Sequence, residues 1–341
     1  MTKANGRRGR ITQVDVAQRA GVSRALVSQI LNNNTTLVIP QETRTRVQSA
    51  IHELGYVPDR AAQSLRTRKT YTIASIIPDI TNPFYPAFQR GIQDVTREHD
   101  YELIMYNTDG DVEQERRCLL SAQGRVDGVI VVLFRLTDLD LLPLAESGMA
   151  VVRMGGLGER LASIDHLDVD NEAAAHAAVS YLIDWGHACI GMLAGQEGTP
   201  PHLLRIAGYR RALAEHHLPL DEILIQDGDF NENGGYRGMQ ALLALMPRPT
   251  AVFAANDVMA IGALKAIREA RLRVPEDIAV VGYDDIPAAN QVSPRLTTIA
   301  QFQDALGRRA AEMLFERLSS DSPPQGRREV HPFELVVRES A

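Results

Sequence analysis

Apolar and polar positions follow two different periodicities along the chain, and the change comes near residue 70. Residues 11–31 hold two short runs of apolar residues at helical spacing, separated by Gly21. A third run, from Pro40 to Leu54, has an apolar face made of Val47, Ala50, Ile51 and Leu54. The pattern predicts three short helices that can close a small core of their own.

Small polar residues predict where the first two helices begin and end. Thr12 and Ser23 can each cap a helix, because a hydroxyl oxygen accepts a hydrogen bond from an N–H of the first turn. Val14, Val16 and Ala17 begin the apolar run of the first helix, and Gly21 suits the left-handed residue that ends it. Helix, short glycine-containing turn and helix form a helix-turn-helix arrangement.

From Tyr71 onward, apolar strand-like runs alternate with amphipathic helical stretches in two successive series. Such alternation is typical of parallel sheets joined by crossover helices, so two series predict two similar α/β lobes. Open sheets of this kind bind ligands outside the carboxyl ends of their strands, which predicts a cleft between the lobes. We expect an all-α head at 1–57, a hinge helix and linker at 58–69, and the two-lobed domain at 70–341.

Charge is distributed unevenly between these parts. The chain of 341 residues has a net charge of −7, but residues 1–70 contain twelve Lys and Arg against four Asp and Glu. A small basic head on an acidic body predicts that the head alone meets a polyanion. The alternative is a charged arm that is merely solvated.

Other compositional features indicate an intracellular protein without bound cofactors. Cys118 and Cys189 lie in apolar or helical runs and are expected to be buried structural thiols. No apolar run approaches the ~18 residues of a membrane span, and the basic N-terminus lacks the apolar region of a secretory signal. We therefore expect a cytoplasmic protein with no cofactor and no metal site.

The second helix presents candidate DNA contacts. In helix-turn-helix proteins this helix lies in the major groove. Arg24 can form two hydrogen bonds with the edge of a guanine, and Gln29 can form two with the edge of an adenine. Ser23, Ser28 and Asn32 are suited to contact DNA phosphates. The alternative is a solvated helix face. The predicted DNA-binding residues of the head are Thr12, Ser23, Arg24, Ala25, Ser28, Gln29 and Asn32.

The run DVAQRAGVSRALVSQILNN resembles the helix-turn-helix of the lac-repressor (LacI/GalR) family, whose pattern is approximately T-x-x-D-V-A-x-x-A-G-V-S-x-x-T-V-S-x-x-L-N. Two residues depart from it: Leu26 stands where Thr is usual, and Gln29 where Arg is very common. The segment from Asn32 to Pro40 is also slightly longer than usual. Base preference and phosphate contacts therefore cannot be copied from relatives.

The segment after the head resembles the hinge helix of the same family. Pro58 fits the first turn of a helix, but the run from Asp59 to Leu65 is too short to be stable alone in water. The resemblance implies that Ala61 and Ala62 let two hinge helices approach closely in a dimer, and that Leu65 enters the minor groove. We add Ala62 and Leu65 to the DNA-binding residues. The alternative is an interdomain linker.

The resemblance covers nearly the whole chain, through blocks such as IIPDITNPFY, RIAGYRRAL, FAANDVMAIGALKAI and VPEDIAVVGYDDI. It implies a periplasmic-binding-protein-like pair of lobes. We expect the chain to cross between them near 161–164, 289–298 and 319–327. The N-lobe would then comprise about 70–160 and 291–320, and the C-lobe about 161–290 and 321–341.

The family's effector-binding residues carry over onto the predicted cleft. Arg205 has a fork that suits hydroxyls or carboxylates, Asn256 and Asp284 follow strands, and Phe230 can stack on a sugar or base ring. The alternative role of these residues is in helix caps and ion pairs, and Asp257 is expected to cap the helix that follows it. The predicted effector-binding residues are Asp79, Asn82, Phe84, Arg205, Phe230, Asn256, Asp284 and Gln301.

Taken with the motifs, the resemblance predicts a transcriptional regulator, a repressor that binds a palindromic operator as a homodimer. Its small-molecule effector would be a sugar or derivative. Three alternatives stay open: a solute-binding protein, an enzyme, and a regulator controlled by a protein corepressor. The missing signal peptide argues against the first, and the absence of G-x-S-x-G, H-E-x-x-H, P-loop and G-x-G-x-x-G motifs against the second. The C-terminal residues lack leucine heptads, which favours a dimer over a tetramer.

Overall fold

A computed structural model of the chain describes residues 11–31, 39–57, 69–158, 160–320 and 325–341. The chain divides into two compact units, residues 1–70 and residues 71–341. Asn32 and the predicted hinge residues Ala61, Ala62 and Leu65 lie outside the described residues.

The first unit contains three helices, α1 (Gln13–Ala20), α2 (Arg24–Leu31) and α3 (Gln41–Leu54). Their starts and ends follow the predicted signals. The Thr12 hydroxyl accepts a hydrogen bond from the Asp15 N–H, and the Asp15 carboxylate accepts one from the Thr12 N–H at 2.7 Å. Gly21 ends α1 with a φ of 67°, a conformation that costs a glycine little.

The helices enclose the small predicted core. Its fully buried residues are Val16, Val27 and Val47, and Tyr56 closes it after α3. Val14, which the sequence places at the start of the apolar run, is 56% exposed instead. The reason is its position two residues before Val16, on the opposite face of α1.

The second unit contains two parallel-type sheets flanked by helices. Its strands are β1 (Thr72–Ile77), β2 (Glu102–Asn107), β3 (Gly128–Val132), β4 (Ala150–Met154), β5 (Asp165–Val169), β6 (Ile190–Ala194), β7 (Ile225–Asp227), β8 (Ala251–Ala254), β9 (Ala279–Asp284), β10 (Thr297–Ala300), β11 (Arg328–His331) and β12 (Glu334–Val336). Its helices are α4 (Phe84–Glu98), α5 (Val112–Ala122), α6 (Asp138–Glu146), α7 (Asn171–Asp184), α8 (Pro200–Glu215), α9 (Glu232–Leu243), α10 (Asp257–Glu269) and α11 (Gln303–Leu318).

Each sheet forms the centre of one lobe. The first has the order β11-β5-β4-β3-β1-β2, and the second the order β12-β10-β9-β8-β6-β7. All neighbouring strands are parallel except β10 and β12. Because side chains alternate between the faces of a strand, β1 buries Ile73 and Ile77 on one face and Ala74 and Ile76 on the other. The predicted two-lobed α/β fold is confirmed.

The chain crosses between the sheets later than the sequence predicts. The crossings follow β5 at Asp170, follow β10 at Gln301 and Phe302, and lie at 332–333 between β11 and β12. The predicted lobe bounds at 160/161, 290/291 and 320/321 are therefore wrong by several residues. The error arises because β5 carries charges: Asp165 is fully buried, and its carboxylate accepts a hydrogen bond from Arg317 at 2.9 Å. A segment with these charged residues lacks the apolar pattern that predicts a buried strand.

The neighbouring helices α7 and α8 pack against each other at close range. A Cβ added at Gly208 in α8 would lie 2.2 Å from the carbonyl oxygen of Glu172 in α7, so only a glycine allows this approach.

No helix in the described part of the chain is long and apolar enough to cross a membrane. Cys118 is buried and Cys189 is half-buried, and burial raises the thiol pKa of both.

Candidate functional site

The carboxyl ends of the two sheets border a cleft of about 860 Å³. Loops that follow strands of both lobes line it, as the doubly wound topology requires. The structure brings together all eight residues that the sequence predicts for effector binding: Asp79, Asn82, Phe84, Arg205, Phe230, Asn256, Asp284 and Gln301.

Arg205 projects from α8 into the cleft and is held on several sides. It is only 6% exposed. Its Nε donates to Oδ1 of Asn171 at 2.8 Å, and its Nη1 donates to the carbonyl oxygen of Ala255. Its guanidinium carbon lies 3.6 Å from the centroid of the Tyr283 ring, a cation–π contact. A guanidinium held in this way is preorganised to offer its remaining N–H groups to a ligand.

Asp284 ends β9 and supplies a buried carboxylate. The side chain of Gln301 donates to its Oδ1 at 2.6 Å, which joins two of the predicted residues directly. Burial raises the pKa of Asp284 to about 7, although Arg205 and the Gln301 hydrogen bond both act to lower it. Its φ of 116° turns the chain at this point. The site therefore contains a carboxylate whose charge changes near neutral pH.

Asn256 has both ends of its amide engaged within the protein. Its Oδ1 accepts from the N–H of Met259 at 2.9 Å, and its Nδ2 donates to the carbonyl oxygen of Phe230 at 3.0 Å. It is therefore the cap of α10 and also holds the loop that carries Phe230. Any ligand contact would use its second N–H or the remaining lone pair of Oδ1.

The prediction that Asp257 caps α10 is wrong. Asp257 is the first residue of the helix and is fully buried. Its carboxylate accepts from the N–H of Ile286 at 2.9 Å and from the hydroxyl of Thr298 at 2.5 Å. Burial and the nearby Asp284 raise its pKa well above the usual range. It is a structural carboxylate beneath the cleft.

Aromatic rings enter the cleft from both lobes. Phe230 follows β7 in the second lobe, and its ring centroid lies 6.2 Å from that of Phe134, which follows β3 in the first lobe. The Phe230 ring covers Gly195, where an added Cβ would lie 1.8 Å from it. In the first lobe, Phe84 begins α4 and stacks on Phe88 at 6.1 Å. Flat apolar faces next to polar groups suit a ring that carries hydroxyls.

Asp79 and Asn82 shape the loop from β1 into α4. Oδ1 of Asp79 accepts from the N–H and the hydroxyl of Thr81, at 2.8 and 2.7 Å. Oδ1 of Asn82 accepts from the N–H of Phe84 at 3.0 Å. Both residues thus hold the loop in place, and both border the cleft.

Sequence reasoning missed a charged group on the cleft wall. Asp168 at the end of β5 contacts Arg160 Nη1 at 2.8 Å and accepts from Arg328 Nε at 3.0 Å. All three residues line the cleft. They went unnoticed because β5 and β11 carry charged residues and lack the apolar pattern of a buried strand, so the sequence did not place their ends beside the other strand ends. The order of the sheet brings Arg328 on β11 to Asp168 on β5, and Arg160 reaches the same carboxylate from the segment before β5.

The cleft can bind a polar ligand. Among the described residues, no group of three or more His, Cys, Asp or Glu side chains is arranged to hold a metal ion. The cleft offers a carboxylate, a guanidinium, amides and aromatic faces, which together recognise adjacent hydroxyl groups by hydrogen bonding and ring stacking.

In the first unit, the structure places several predicted DNA contacts on one helix. Arg24 and Ala25 are exposed at the start of α2, and Ser28 and Gln29 are half-buried along it. The hydroxyl of Ser23 accepts from the N–H of Leu26 at 3.2 Å and so caps α2. Thr12 is used in the capping box of α1. A capped helix of this length with an exposed Arg is suited to the major groove.

A helix-turn-helix unit joined to a two-lobed domain with a polar cleft defines the class of ligand-responsive DNA-binding regulators. Comparison with known proteins agrees. Residues 12–59 match the model of bacterial regulatory proteins of the lacI family, and residues 179–341 match a periplasmic binding protein-like domain.

Similar proteins span nearly the whole chain. The HTH-type transcriptional repressor PurR of Pasteurella multocida is 37% identical over 332 residues, covering 96% of this chain and 97% of that protein. A structure of the transcriptional regulator CelR–cellobiose complex is 34% identical, with a TM-score of 0.73 and coverage of 97% and 100%. A crystal structure of the lac repressor dimer bound to operator and the anti-inducer ONPF is 27% identical, with a TM-score of 0.85 and coverage of 97% and 98%. The chain belongs to the lacI family of bacterial regulatory proteins and is a transcription regulator.

Proposed function

We propose that this regulator is a repressor which binds a palindromic operator as a homodimer, and that a sugar or sugar derivative in the interlobe cleft changes its operator affinity. The arrangement of Arg205 and Asp284 beside the Phe230 ring carries the proposal. The guanidinium can donate to ring or hydroxyl oxygens, and the carboxylate can accept from two adjacent hydroxyls. This is a binding site and not a catalytic one, and the protein acts in the cytoplasm, where its operator lies.

The charges that line the cleft favour an uncharged effector. Carboxylates outnumber guanidinium groups by seven to three, and two of the three arginines share Asp168. A phosphorylated sugar would bring two further negative charges into this wall, whereas a neutral polyhydroxy compound brings none. The carboxylates are Asp79, Asp109, Asp168, Asp170, Glu172, Asp229 and Asp284.

Two of the similar proteins support the two halves of the proposal. The CelR structure holds cellobiose, and the lac repressor structure is a dimer on its operator. In this chain the basic residues 1–70 would meet the DNA phosphates. Arg24 and Gln29 would read bases, while Ser23, Ser28 and Asn32 would contact phosphates. Ala62 and Leu65 would act in the hinge.

Thermal shift with matched sugar pairs tests the proposed effector class. The full chain is melted with D-ribose, D-glucose and cellobiose, and with ribose 5-phosphate and glucose 6-phosphate as charged counterparts. A sugar at 100 times its dissociation constant stabilises the folded protein by about 2.7 kcal/mol. We expect a neutral sugar to raise the melting temperature of the wild type and its phosphate to raise it less. In Asp284→Asn, the neutral sugar should cause no rise. Stabilisation by phosphates alone would contradict the proposal.

A further inference from the structure

The two lobes are joined by the chain crossings near one edge of the cleft, and they also touch each other toward the opposite edge. All three crossings follow β5, β10 and β11, which lie at or next to one edge of each sheet. The contact lies toward the other edge, where the loop after β3 meets the loop after β6. We call the residues 134–136 and 196–198 the far-edge contact.

An arginine connects the lobes there. Nη1 of Arg135, in the first lobe, donates to the carbonyl oxygen of Glu197, in the second lobe, at 3.1 Å. The neighbouring Gly198 has a φ of 73°, and an added Cβ there would lie 3.3 Å from the same Nη1. On the first lobe, an added Cβ at Gly110 would lie 3.2 Å from Oε1 of Gln196. The glycines thus allow the two loops to come close enough for this hydrogen bond.

A buried carboxylate holds the loop that carries Arg135. Glu115 in α5 is fully buried, and its two oxygens accept from the main-chain N–H groups of Phe134 at 2.7 Å, Arg135 at 3.2 Å and Leu136 at 2.9 Å. Three successive N–H groups on one carboxylate fix the backbone of the loop. They thereby fix the direction of Arg135 and the position of the Phe134 ring in the cleft.

We propose that Glu115 is a positioning residue for ligand binding and that Arg135 is the latch by which the two lobes stay closed on the open side of the cleft. Glu115 touches no ligand. It orders the loop from which Arg135 reaches across and from which Phe134 faces Phe230. The inference rests on the proposed function only in taking the cleft as the ligand site, because the contact itself is made between protein atoms of the two lobes.

Distances between the lobes test the latch directly. Spin labels are attached at Glu113→Cys and Glu232→Cys, two exposed positions at the starts of α5 and α9, with Cys118 and Cys189 replaced by Ala. The labelled full chain is mixed with excess unlabelled chain so that only distances within one molecule are measured. We expect Arg135→Ala and Glu115→Gln each to add a population with longer distances. We expect the double variant to add no more than either alone, because both act through one loop.

Arg125→Ala is the matched control. This arginine is also exposed, but it precedes β3 and so lies at the end of the sheet away from the cleft. Its distance distribution should equal that of the wild type. An unchanged distance distribution in Arg135→Ala would overturn the proposal that Arg135 is a latch. Because Arg135 is exposed, this variant should fold and can test the proposal even if Glu115→Gln is too unstable to fold. Independent, additive effects of the two substitutions would overturn the positioning role of Glu115.

Sugar kinetics give the second readout. With D-glucose and cellobiose as probes, Arg135→Ala should raise the dissociation rate by about fivefold and change the association rate little, because the latch acts on the closed state. If a sugar binds and its dissociation rate is unchanged, the latch proposal fails. If neither sugar binds the wild type, the proposed effector class is in question, while the distances in the sugar-free protein still decide the latch.

Discussion

Asp284 is a cleft carboxylate whose pKa the fold brings close to neutral pH. Burial raises its pKa from 3.8 to about 7 in the folded protein. The folded state therefore holds a proton that the unfolded chain releases, and this favours folding at low pH. The contribution is fully present below pH 3.8 and is lost as the pH rises through about 7.

A comparison of wild type with Asp284→Asn tests this assignment. The wild-type melting temperature minus that of the variant should fall by a few degrees between pH 5 and pH 8, since about 1 kcal/mol corresponds to about 2–4 °C in a domain of this size. The part of the Asp257 pH dependence that comes from its own burial is common to both proteins, whereas the part that comes from the charge of Asp284 is removed with Asp284 and belongs to the difference. A difference that stays constant over this pH range would show that Asp284 ionises normally.

At single positions, the sequence predicts which side chains reach the cleft but not how each is held there. The eight predicted residues do come together. By sequence alone, either of the adjacent residues Asn256 and Asp257 could cap α10, and the structure shows that Asn256 does. Only the buried partners Ile286 and Thr298, which come from distant segments, decide this. Contacts between residues far apart in the chain leave no local signal.

Among the elements, the α7–α8 pair depends on one glycine. Gly208→Ala should lower the melting temperature even though Ala favours helix more than Gly does, because the new Cβ would lie 2.2 Å from the Glu172 carbonyl oxygen. We expect a loss of about 1–3 kcal/mol as the helices move apart. Ala207→Gly, the adjacent exchange in the opposite direction, should cost only about 1 kcal/mol of helix propensity. Stabilisation by Gly208→Ala would contradict the close packing.

Element prediction succeeds where burial and polarity agree. The β8 strand has four apolar residues, which is the local pattern that predicts a buried strand. The β5 strand is missed because three of its five residues, Asp165, His166 and Asp168, are charged or ionisable and yet buried. Arg317 and Arg327 pair with Asp165, and Arg328 with Asp168. These partners lie about 150 residues away in the chain, so no local pattern reveals them.

For the molecule as a whole, we propose that the two functions belong to different units: DNA recognition to residues 1–70 and ligand recognition to residues 71–341. A regulator of this kind requires that the ligand prefer one of two states of the protein, and the same preference must then change the affinity for DNA. A coupling of 1–3 kcal/mol, a change of about 5- to 150-fold, is typical.

The most direct test is a titration of a fluorescent duplex operator, chosen by selection from random sequence, with the full chain in the presence and absence of the sugar that gives the largest thermal shift. We predict that a saturating concentration of the sugar changes the operator dissociation constant at least about fivefold. In Asp284→Asn, operator binding without the sugar should persist and the change should disappear. If the wild-type operator dissociation constant is the same with and without a sugar that demonstrably binds, the cleft does not control DNA binding.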